Sequence, residues 1–168
     1  MRVPALILLC LASPAAARVH LVEAGIICPR ESDGLLVEAP RTESGVIRRV
    51  EAGLAFDLPD RTVPTLDQLS FGFRSALDAG EPETEVTIVV THPPMGDRGV
   101  EREEWTDVLS PGAANLNLFT FEEDYEKVVG PWTFAVEIDG ATVLSVPFEV
   151  AQGKNVAAVE QACFQFLS

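Results

Sequence analysis

From Trp132 the chain alternates strictly: Trp132, Phe134, Val136 and Ile138 fall on one parity, and Thr133, Ala135, Glu137 and Asp139 on the other. That is the period of a β-strand with one buried face. After Asp139-Gly140 the alternation resumes, with Thr142, Leu144, Val146, Phe148 and Val150 set against Val143, Ser145, Pro147 and Glu149. An Asp-Gly pair between two alternating runs predicts a tight hairpin turn. A hairpin with one apolar face must lay it against a second layer, which directs the whole chain toward a sandwich. Pro147 has no backbone N–H, so the second strand needs a local edge or a bulge there.

Weaker versions of the pattern occupy residues 19–27, 45–50, 69–77, 85–91, 100–109 and 115–121. Pro, Gly and Asp clusters separate them, and no helical period lies between them as a crossover. The expectation is therefore an all-β, immunoglobulin-like antiparallel β-sandwich. Only residues 155–167 break the pattern: Val156, Val159, Cys163 and Phe166 fall near helical spacing and predict a short C-terminal helix on the sandwich.

Residues 1–17 read as a secretory signal: Arg2, the apolar run from Pro4 to Ala12, and the small-residue exit Ala15-Ala16-Ala17. Cleavage after Ala17 leaves residues 18–168 as a single β-sandwich domain. Its C-terminal tail, residues 151–168, is expected to pack on or be disulfide-tied to the N-terminal strand. Cys10 sits behind Leu8 and Leu9 rather than a small residue, so it reads as part of the apolar run and not as a lipid acceptor. With the signal removed, no stable membrane anchor is expected. Cys28 and Cys163 survive cleavage, and an even pair in an oxidising compartment predicts a disulfide.

The formal charge of −14 argues against nucleic acid and anionic membrane surfaces as partners, because both require clustered cations. The carboxylates fall in three patches, residues 78–85, 101–107 and 122–126, expected to be solvated loops and strand faces.

The stretch Gly130-Pro131-Trp132-Thr133-Phe134, then Asp139-Gly140, then Val146-Pro147-Phe148-Glu149-Val150, resembles the closing hairpin of many immunoglobulin-like bacterial domains. Together with Val22-Glu23-Ala24-Gly25, Leu69-Ser70-Phe71-Gly72-Phe73 and Thr91-His92-Pro93-Pro94, it resembles a small family of exported bacterial proteins known as a domain of unknown function. The resemblance implies a bacterial, periplasmic or secreted setting and an immunoglobulin-like sandwich, with no functional residues to transfer. The antibody pattern of an inter-sheet cysteine pair flanking a Trp is absent, since Cys28 and Cys163 lie outside the strands that would carry it.

No Gly-x-Ser-x-Gly elbow, His-Glu-x-x-His helix or phosphate-binding glycine loop occurs, and the only histidines are His20 and His92. The chain is expected not to be an enzyme and to carry no cofactor. Copper is the alternative: after cleavage at Ala17 the chain would begin Arg18-Val19-His20, and a free amine, two deprotonated amides and an imidazole can wrap Cu(II) or Ni(II) in a square plane. His92 and Met95 in His-Pro-Pro-Met are softer candidate copper ligands, and residues 57–60 and 122–124 offer oxygens for calcium without an EF-hand loop. Trp105, in an alternating acidic segment, is the candidate partner-binding residue. The functional expectation is a non-enzymatic module that binds an unknown protein or envelope component.

Overall fold

The computed structural model describes residues 19–30, 34–51 and 53–166. The signal segment, Cys10 and Arg18 lie outside the described residues. In chain order the strands are β1 (Val19–Ile27), β2 (Leu35–Glu38), β3 (Val46–Arg49), β4 (Thr62–Pro64), β5 (Ser70–Leu77), β6 (Thr84–Met95), β7 (Val100–Leu109), β8 (Ala114–Thr120), β9 (Gly130–Ile138) and β10 (Ala141–Ala151). An α-helix, α1 (Ala157–Phe166), follows β10 after a short 3-10 turn.

The strands form a three-stranded sheet in the order β1-β5-β8, a five-stranded sheet in the order β4-β10-β9-β6-β7, and a separate hairpin, β2-β3. All pairings are antiparallel except β10 with β4. The fold is thus the expected all-β sandwich with a short C-terminal helix.

The hairpin turn at Asp139-Gly140 has positive φ at both residues, 50° and 77°, the conformation whose twist matches antiparallel strands. Pro147 lies opposite Thr133 of β9, while β4 joins the other edge of β10 only from Glu149, whose N–H donates to Arg61 O at 2.9 Å. By the same parity the nitrogen of Pro147 points to that still-unpaired edge. No ladder bond is lost there.

The two sheets meet across a cluster of rings. Phe71 of β5 packs within 5.3–5.6 Å, centroid to centroid, of Phe121, Trp132, Phe134 and Phe148, so rings from both sheets converge on it. Val86, Ile88, Val90, Val136, Val146 and Val150 complete the core. A Cβ on the neighbouring Gly72 would collide with the carbonyl oxygen of Asn117, so glycine there lets β8 close onto β5.

Cys28, just past β1, is disulfide-bonded to Cys163 of α1. Val156, Val159 and Cys163 are buried, the helical spacing seen in the sequence. The bridge spans 135 residues, a loop for which the chain-entropy relation gives about 5 kcal/mol before native strain is subtracted. Cys163→Ser is expected to destabilise the domain by roughly 2–5 kcal/mol. Denaturant titration checks this, and reduction of the wild type should give a matching loss.

Candidate functional site

β7 and β8 are the outer strands of their respective sheets, so one side of the sandwich is open. The β2-β3 hairpin lies across it. Its connecting turn is shaped locally: Gly45 takes φ of 75°, and Thr42 Oγ1 donates to Ala39 O at 2.9 Å. Polar contacts then fasten the hairpin to the β7 side. Glu104 N–H donates to Arg41 O at 3.2 Å, Glu43 N–H donates to Glu103 Oε1 at 2.6 Å, and Arg41 pairs with Glu104 at 2.9 Å. Arg98 donates to the carbonyls of Thr42 and Glu43, both at 2.8 Å.

Toward β8 a groove remains. It comprises two clefts of about 320 and 360 Å³, which share Ile47, Arg48, Val50, Trp105 and Leu118 and so run into one another. β3 forms one wall and β8 the other. Trp105 reaches the groove because, with Glu103, Asp107 and Leu109, it takes the inward parity of β7, opposite Ile88 of β6. It is half-buried, and among the described residues its indole N–H has no acceptor. The contrast is Trp132, fully buried, whose Nε1–H donates to Val128 O at 3.0 Å. Two tryptophans thus divide between core and groove, and only the core one is satisfied internally.

The β8 wall is polar where the core ends. Asn115 Nδ2 donates to Asp107 Oδ2 at 3.1 Å across the sandwich. Asn117, 4% exposed, lines the groove with its Nδ2 unpartnered. A buried amide without an acceptor costs about 1–3 kcal/mol, so this stretch of β8 carries an unmet donor just beneath the groove.

At its far end the groove is acidic, lined by Glu103, Glu122, Glu123 and Glu126 with Arg48 paired to Glu122 at 2.7 Å. The expectation that the acidic patches are wholly solvated fails at Glu103 and Glu126, which are 4% and 8% exposed. Each is buried because it satisfies backbone donors: Glu103 takes the N–H of Glu43, and Glu126 Oε2 takes those of Glu122 and Glu123 at 2.7 and 2.8 Å. Burial raises the pKa of both. At Glu126 it outweighs the two N–H donors and, with the charges of Glu122 and Glu103, holds the carboxyl at about 7.

The remaining candidates fall elsewhere. His92 is 6% exposed and stacks on Trp132 at 4.5 Å, its pKa lowered chiefly by burial, while Met95 is in the core. The strand continues through His92-Pro93-Pro94 as an irregularity of β6, with His92 and Met95 facing the interior and Pro94 outward. Val19 and His20 begin β1, in register with Leu77 and Ala76, and His20 Nδ1 lies 3.0 Å from Asp78 Oδ1. A square-planar wrap would have to displace that carboxylate and free the His20 amide, which by ladder parity faces Ala76. Asp57 already accepts from Cys28 N–H and Arg30, and Asp124 from Lys127. Among the described residues, no three His, Cys, Asp or Glu side chains come together as a metal cluster. No helix among them is long and apolar enough to cross a membrane.

Because the folded pKa of Glu126 lies above its unfolded value, its contribution to stability is complete below about pH 4.3 and is lost as pH rises through about 7. Glu126→Gln keeps an acceptor for both amides but cannot ionise. The variant should match wild type at pH 4 and exceed it at pH 8, by up to ~2 kcal/mol after allowance for solvent screening. Urea unfolding at the two pH values measures the difference.

The family described as Domain of unknown function (DUF3859) matches residues 16–150. Among solved structures, an immunoglobulin-like protein from Pseudomonas aeruginosa is similar, with 21% identity, coverage of 82% of this chain and 99% of that one, and a TM-score of 0.49. No curated protein matches the chain.

Proposed function

The chain belongs to the DUF3859 family, and from that starting point we propose that it is an exported, non-enzymatic module whose groove binds a protein or envelope component. Trp105 carries this reading. A half-buried indole that packs against the core edge and lines the groove, its N–H without an acceptor among the described residues, is placed to supply apolar contact and one directed hydrogen bond to an incoming molecule. Asn117 of the β8 wall adds a second donor that has no acceptor among the described residues, buried just beneath the groove surface.

Export is supported by the basic, apolar and small-residue succession of residues 1–17, and the Cys28–Cys163 bridge suits an oxidising compartment. Loops and strand edges presented by a rigid sandwich are a common way to hold a binding surface.

Trp105→Ala should leave folding largely intact while lowering recovery of an envelope-extract component at least tenfold relative to wild type, since aromatic anchors dominate interface energetics. Far-UV circular dichroism confirms the fold, and quantitative recovery on matched columns gives the ratio. Equal recovery by the two proteins would remove Trp105 from the site.

A further inference from the structure

The backbone groups lining the groove can be assigned by parity. Phe121 N–H donates to Leu69 O at 3.0 Å, at the end of the β5-β8 ladder. In an antiparallel pair the residues bonded to a given neighbour alternate. Phe119, Asn117 and Asn115 therefore direct their N–H and C=O toward β5, and Leu116, Leu118 and Thr120 direct theirs to the free edge of β8. The same logic applies across the groove. Ala39 N–H donates to Gly45 O at 2.9 Å in the register of the β2-β3 hairpin, so Ile47 and Arg49 face β2 and Val46, Arg48 and Val50 face outward.

The outward groups of Val46 are already served by hydroxyls, with Val46 O accepting from Ser44 Oγ at 2.9 Å. Among the described residues, no strand or turn pairs with those of Arg48 and Val50, or with those of Leu116 and Leu118. Two strand edges thus form the walls of one groove, with Trp105 and the unpaired amide of Asn117 between them. The hairpin backbone is fastened to β7, where Arg41 O takes the Glu104 amide, and reaches the segment after β8 through the Arg48–Glu122 side-chain pair at the acidic end.

Resting on the groove being a binding site, we infer that its ligand is an extended polypeptide segment that adds as a strand between β8 and β3. It would extend the order β1-β5-β8 through the added strand to β3-β2, pairing both edges at once. The facing edges accommodate roughly five residues at strand spacing. Rows of alternating N–H and C=O are complementary to another backbone, and main-chain pairing of this kind supplies affinity while alternate side-chain positions supply specificity. A saccharide could use Trp105 and Asn117 but would leave both rows unpaired. The acidic end, with Glu103, Glu122, Glu123 and Glu126 against Arg48, selects a segment with a Lys or Arg at that end.

The test presents the full oxidised chain, residues 18–168, to a phage-displayed library of random linear dodecapeptides and, in parallel, to a glycan array. Linear peptides should be enriched, with basic residues toward one end. Leu118→Pro removes an outward N–H without touching the β5 ladder, and should weaken the selected peptides at least tenfold. On wild type, the amides of Leu116, Leu118 and Thr120 should gain at least tenfold protection from hydrogen exchange when peptide is added, which decides the matter even if the proline variant misfolds. Peptides that bind without protecting those amides would overturn strand addition. Glycan binding that depends on Trp105, with no peptide enrichment, would overturn it while leaving the groove as a binding site. Enrichment in neither format would remove both readings.

Discussion

The ring of Phe71 is the point at which the two sheets are held together. It lies between Phe121 on its own side and Trp132, Phe134 and Phe148 on the facing sheet, all within 5.6 Å, and is fully buried. Edge-to-face ring pairs add about 0.5–1.5 kcal/mol each beyond the area they bury, so this cluster concentrates stabilisation at one end of the interior. Along the inner face of β8, the parity that begins at Phe119 continues to Asn117 and Asn115. The apolar core ends where that strand turns polar.

The groove follows from that limit. Beyond the ring cluster, β7 and β8 offer Trp105, Asp107, Asn115 and Asn117 in place of a continuous apolar layer, and a β2-β3 hairpin fastened by carboxylates and guanidinium groups covers the opening. The hairpin is held by polar contacts, and its partly exposed ion pairs contribute only about 0–1 kcal/mol each. Beside it lie strand edges without partners among the described residues. The buried carboxyls of Glu103 and Glu126 belong to the same region. They trade desolvation for the capture of backbone amides in segments that no sheet serves.

Much of the architecture was legible from local pattern. Alternation located β9 and β10, the Asp139-Gly140 turn, and most of β1, β5, β6, β7 and β8. Helical spacing located α1, and the cysteine count anticipated the bridge. What escaped were β2 and β4, and the continuation of β6 beyond residue 91 through His92-Pro93-Pro94. β2 has no buried face of its own: Leu35 and Leu36 are exposed, so its pairing with β3 leaves no apolar signature in sequence.

The site divides along the same line. Trp105 was a candidate from its residue type and acidic surroundings, but Asn117, Glu103 and Glu126 were indistinguishable from surface residues until their neighbours were known. Sequence by itself determined which residues share a strand face, because side-chain parity is a local property of the backbone. Only the tertiary structure decided which faces meet, where the ring cluster runs out, and which strand edges are left without partners. Those depend on contacts between segments far apart in the chain, and no local period encodes them.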